Sequence, residues 1–204
     1  MPVYEMSAAG SVRVPRVNYQ SMNANNQYGA MVPLGSYTLA NSTTSDVTFS
    51  NIPQTYQDLM IVGSARRTDA AASGIIYITP YYTGIGASPQ STTVLSGDGS
   101  SVTSLRYSNQ DGAFIASVPA ASSTAGIFGS IVWHCLNYAN TSTFKTSIAR
   151  TVANTNASGT TRFAVNLTRG TGGITTVNCS TFSGSAFLAE GSTFTLYGIR
   201  ASNS

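Results

Sequence analysis

From Gly35 to Ile199 the chain repeats one pattern: a short apolar run, a cluster of Gly, Ser, Asn or Asp, then another run. No segment sustains a 3.6-residue apolar period, which argues against helices as the organising element. Runs of about 4–8 residues bounded by turn-forming residues are instead the mark of antiparallel strands. Tyr37 and Leu39 alternate, then Val47 and Phe49. The near-continuous run from Leu59 to Ala65 reads as a central strand. Gly74 to Tyr82 follows, with Pro80 expected at its end or on an edge, because proline cannot donate to a ladder. Val102 to Tyr107 and Ala113 to Val118 sit beside the turns Gly97-Asp98-Gly99 and Asn109-Gln110-Asp111-Gly112. Ile127 to Tyr138 is the strongest run and carries the single Trp. Phe144 to Val152, Arg162 to Thr168, Ile174 to Phe182 and Thr193 to Ile199 complete the set. In Arg162–Thr168, Phe163, Val165 and Leu167 face one way and Arg162, Ala164, Asn166 and Thr168 the other. About ten strands at roughly 8–12-residue spacing predict an all-β, antiparallel β-sandwich of jelly-roll or Greek-key type.

Composition sharpens that expectation. Only 8% of residues are charged, against roughly 25% in an ordinary soluble domain. Ser and Thr fill the gap, which suits pleated, half-buried surface. A poorly charged surface is a solubility hazard for a free monomer, so the chain is expected to live assembled. Nine of the ten basic residues are Arg, Lys145 being the other, and they are scattered. Arg66-Arg67 is the one adjacent pair, so the basic stripe expected of a nucleic-acid binder is missing and no nucleic-acid partner is expected. No apolar run approaches the ~20 residues of a membrane span, and the start lacks a secretory pattern. The expectation is a soluble protein made in the cytoplasm, with no membrane insertion.

Residues 1–33 differ from the rest. They hold Pro2, Pro15 and Pro33, a polar run from Asn23 to Gln27, and isolated anchors. Such a segment cannot build a core of its own. It reads as an extended anchoring arm that lays Val12, Arg13, Val14, Arg16, Val17, Tyr19, Tyr28 and Met31 on a neighbouring protein, with residues 34–204 forming the sandwich.

Four stretches carry a family resemblance. The closing Glu190-Gly191-Ser192-Thr193-Phe194-Thr195-Leu196-Tyr197-Gly198-Ile199 resembles the final Gly-Ser-x-Phe-x-Leu-Tyr-Gly-Ile strand of a group of small virion proteins of tailed phages, many marine or cyanobacterial. Val47 to Leu59, through Ile52-Pro53, Tyr56 and Asp58, is similar to the lead-in to that group's first long strand. Ser96-Gly97-Asp98-Gly99-Ser100-Ser101 resembles its Gly-rich turn, and Ala125-Gly126-Ile127-Phe128-Gly129 the start of its central strand. The resemblance covers about residues 35 to 200 and leaves the arm outside. It implies a phage structural role in the head, the tail or a fibre, and transfers no catalytic residue.

Candidate chemistry is sparse. His134 is the only histidine, in Trp133-His134-Cys135, and if its neighbours face the core it faces away from them. One histidine leaves a His/Cys metal site nearly excluded and gives a catalytic pair little to work with. No two carboxylates stand out as the flanking pair a glycosidase needs. Two cysteines, Cys135 and Cys179, make no disulfide framework and read as buried apolar residues, though a single bridge stays open. Gly97-Asp98-Gly99 and Gly170-Thr171-Gly172-Gly173 lack a P-loop lysine and read as turns. The sequence therefore predicts no catalytic residue, metal or cofactor. It predicts a non-enzymatic virion structural protein, a surface decoration (cement) subunit bound through its arm to capsid or tail subunits, as a homo-oligomer with a trimer favoured. The alternative is a tail-fibre or receptor-binding module touching a host-surface glycan or receptor, and a virion-associated glycan hydrolase is a distant third.

Overall fold

The computed structural model describes residues 30–82, 86–87, 89–155, 158–181 and 186–200. The described residues contain no helix and thirteen strands. These are β1 (Met31–Thr38), β2 (Asp46–Phe49), β3 (Asp58–Ala65), β4 (Ser73–Tyr82), β5 (Gly86–Ala87), β6 (Gln90–Gly97) and β7 (Val102–Gln110). β8 (Ala113–Pro119), β9 (Gly129–Cys135), β10 (Lys145–Asn154), β11 (Gly159–Thr168), β12 (Ile174–Ser180) and β13 (Thr193–Ile199) follow. They form two antiparallel sheets packed as a β-sandwich. The larger has the order β1-β13-β3-β9-β10-β11-β6-β7, and the smaller β2-β12-β4-β5 with β8 also paired to β4.

The topology is a jelly roll. Eight strands alternate between sheets as two four-strand halves, β1-β13-β3-β9 against β2-β12-β4-β8. The hairpins β6–β7 and β10–β11 are additions that extend the large sheet beyond β9. Chain ends meet in this arrangement: β1 pairs with β13, and β13 pairs with β3. Since Met31, Val32 and Pro33 pair with Ile199, Gly198 and Tyr197, the domain starts at β1, ahead of the boundary expected after Pro33. Pro80 does not end β4, which runs on to Tyr82. β8 covers β4 only as far as Ile78 and β5 begins opposite Tyr81, so Pro80 sits in a local gap on that side where no donor is required. β6 was not legible as a strand, because its Ser and Thr hide its single alternation.

The core lies between the original jelly-roll halves. Leu59 and Ile61 on β3, Ile131 and Trp133 on β9, and Phe194 and Leu196 on β13 all point inward and are buried. Ile76 and Ile78, Val177 and Phe49 meet them from the small sheet. Tyr37 packs edge-on against Phe49, ring centres 5.1 Å apart. The lead-in to β3 and the last strand touch here. The Tyr56 ring lies on Gly198, where a Cβ would come within 2.5 Å of Tyr56 Cγ. Only glycine allows that approach.

Turns follow their side chains. Asp98 Oδ1 accepts from the backbone N–H of Ser100 and Ser101 at 2.8 and 2.7 Å, with Gly99 at φ 91°, closing β6 onto β7. These bonds hold the Asp98 carboxyl below its ordinary pKa, Ser101 contributing most. The Arg66 guanidinium donates to the carbonyls of Ser123, Thr124 and Ile127 at 2.9, 2.8 and 3.0 Å, pinning the loop that leads into β9. Arg67 donates to Asp69 at 2.8 Å and to the Ile75 carbonyl at 2.6 Å. The one adjacent basic pair is thus buried and engaged within the fold.

Candidate interaction surface

The hairpin extension turns the usual polarity of a sandwich around. On β10 the inward residues are Lys145, Ser147, Ala149, Thr151 and Ala153, while Ile148 and Val152 point out. On β11, Ala164, Asn166 and Thr168 are buried while Phe163 and Val165 are exposed. β8 packs across the inner faces of β10, β11 and β6, so small side chains there let one backbone approach the other.

Part of the inward polar layer pairs with itself, while Ser147 Oγ and Thr151 Oγ1 on β10 and Gln90 Nε2 on β6 are buried with no hydrogen-bond partner among the described residues. Thr92 Oγ1 donates to Asn166 Oδ1 at 2.8 Å, and Asn166 Nδ2 donates to Gln90 Oε1 at 2.8 Å and Thr168 Oγ1 at 3.0 Å. Lys145 Nζ donates to the Thr143 carbonyl at 2.7 Å and sits 5.7 Å from the centre of the Tyr82 ring. Burial lowers its pKa. This layer ties β6 to β11 and leaves larger apolar side chains to the outer face.

Cross-strand register makes that outer face continuous. One row runs Val62, Val132, Arg150, Phe163 and Leu95 across β3, β9, β10, β11 and β6. The next row runs Met60, His134, Ile148, Val165 and Thr93. Val62, Leu95, Ile148, Val152, Phe163 and Val165 are each between 39% and 48% exposed. Scattered single apolar residues on a surface need no explanation, but adjoining ones over five strands make a candidate contact surface. Its cations are Arg150, set between Val132 and Phe163, and Arg106, whose guanidinium donates to Thr93 Oγ1 at 3.1 Å.

His134 stands in the second row of this face between Met60 and Ile148, opposite in direction to buried Trp133 and Cys135, as strand alternation requires. Its Nε2 is 3.3 Å from Asp58 Oδ2, and Asp58 Oδ1 accepts from the Asn137 N–H at 2.9 Å. Cys135 is on the other face of the strand, so the two cannot act as a pair across it. Cys135 and Cys179 are both free and buried, and burial pushes each thiol up to about 12. No bridge joins them. Among the described residues, no three His, Cys, Asp or Glu side chains cluster as a metal site.

Of the arm residues singled out in the sequence, Val12, Arg13, Val14, Arg16, Val17, Tyr19 and Tyr28 lie outside the described residues. Met31 belongs to β1 and not to an arm, with its Cα opposite Ile199 and its side chain 43% exposed. The outer face itself was missed. Its signal was present in the alternation of Phe163, Val165 and Leu167, but alternation does not say which side is buried. Compared with known proteins, the chain matches no family model, no curated protein and no solved structure.

Proposed function

We propose that this chain is a non-enzymatic structural subunit of a tailed-phage particle, a surface decoration (cement) protein held to neighbouring capsid or tail subunits through residues 1–29. The observation that carries an assembled, structural role is the outward placement of Ile148, Val152, Phe163 and Val165 on the large sheet. A monomer in water gains by burying such side chains, at roughly 25 cal/mol per Å² of apolar surface. Here the chain buries Ser147, Ala149, Asn166 and Thr168 in their place.

Which assembly rests on resemblance and analogy. The stretches that resemble phage virion proteins serve as folding devices here: Tyr56 on Gly198, the Asp98 turn, and the Arg66-pinned lead-in to β9. Jelly rolls recur in viral coats, which adds weight by analogy only.

The test is quantitative mass spectrometry of purified particles of the phage that encodes the chain. The decoration reading expects a copy number that tracks the major capsid protein. A few copies per particle would favour the tail-fibre reading, and absence from particles would sink the proposal.

A further inference from the structure

We infer that the outer face of the eight-stranded sheet pairs with the same face of a second copy of this chain, two sandwiches joined back to back about a two-fold axis. The inference deepens the structural role proposed above by naming what covers the apolar face. Area is the first argument. Five strands about 4.8 Å apart, each laying six or seven residues of ~3.3 Å on the face, give roughly 500 Å² on each partner, about 1,000 Å² in all. A specific interface needs about 1,000 Å² in total.

Shape is the second. Two sheets with the same twist pack face to face at about −30°, with side chains of one fitting between those of the other. Val62, Val132, Phe163 and Leu95 form a row with Ile148 and Val165 beside it, the composition of an inner sandwich layer. The charges on this face argue against a strongly basic occupant. The carboxylate on this face, Asp58, is already engaged with His134 and Asn137, so a strongly basic partner finds no counter-charge. Arg150 stands between Val132 and Phe163, placed so that its guanidinium can lie on an aromatic ring across the interface. Arginine tolerates that desolvation better than lysine. A face-to-face pair is two-fold, where the sequence reading favours a trimer.

Sedimentation velocity on the full chain, from about 1 to 100 µM, tests this directly. The wild type is expected to sediment as a dimer. Val165→Lys and Ile148→Lys each change a side chain that is already partly exposed, so both variants should fold, with unchanged circular dichroism, and sediment as monomers. Phe144→Lys, in the loop before β10, should stay dimeric. If either lysine variant fails to fold, hydroxyl-radical footprinting of the wild type across its dilution range decides. Phe163 should be protected at high concentration and labelled at low. A wild-type monomer at 100 µM, a trimer, a dimer that both lysine variants leave intact, or a Phe144→Lys variant that also dissociates would each overturn the inference. These outcomes are separable from the particle assay. A dimer absent from particles keeps the pairing and removes the virion role, while a monomer abundant in particles does the reverse.

Discussion

Phe194 shows how much one position can carry. It is fully buried on the strand that links β1 to β3, and its ring lies 3.0 Å from where a Cβ on Gly63 would be. Thr195, its neighbour, faces outward and shares a 2.9 Å hydrogen bond with Ser36. Phe194→Ala should cost about 3–5 kcal/mol, lowering Tm by roughly 10 °C in a domain of this size. Thr195→Ala should cost less than about 1 kcal/mol. Thermal melts of the two variants side by side check this, and near-equal values would contradict the buried register. The thiols give a second measurement. With both pushed up to about 12 from an ordinary 9.0, they stay protonated at pH 8.5, and the thiolate is the reactive form. Iodoacetamide should label neither in the native protein and both in denaturant. The sign of the linkage follows. An unfolded thiol ionises near 9 while the folded one does not, so stability falls as pH rises from about 9 toward 12. Rapid native labelling at pH 8.5 would contradict that burial.

At the scale of elements, the decisive contact joins the lead-in to β3 with the last strand. Tyr56 rests on Gly198, and Gly198 sits opposite Val32 on one side and Leu59 on the other. Gly198→Ala places a methyl group in the Tyr56 ring, an overpacking of about 1–3 kcal/mol. Urea denaturation should show that loss as a lower midpoint with an unchanged slope. A neutral effect would mean the ring swings aside freely. The two added hairpins obey another rule. β10 and β11 keep strict alternation, but β8 covers their small residues, so the hairpins widen the large sheet and give it an apolar outer face.

At the scale of the molecule, the jelly roll is closed by β1, which begins at Met31 and pairs with β13. Removing residues 1–29 keeps every described strand. The shortened protein should therefore show an unchanged β spectrum and a Tm within a few degrees of the full chain, yet be missing from particles assembled in its presence. Loss of the fold would show that these residues complete the domain. Full incorporation would show that attachment runs through another surface.

The sequence by itself determined the all-β class, most of the strand positions, the turn at Asp98 and the alternation within β11. Those properties are local: a side chain's preference for pleated backbone, a glycine's freedom, an aspartate's reach to the next N–H groups. It also showed in Trp133-His134-Cys135 that the histidine and the cysteine point apart. Only the tertiary structure decided which side of each alternating strand is inside. On β13 and β9 the large apolar side is buried, and on β10 and β11 it is exposed, although the patterns look alike. The physical reason is that alternation has period two and is symmetric under exchange of faces. What breaks the symmetry is the element packed above. The small sheet's Ile76, Ile78 and Val177 contribute to the core that receives the large side chains, whereas β8 lies across Ala149 and Ala164 and leaves Phe163 and Ile148 facing outward.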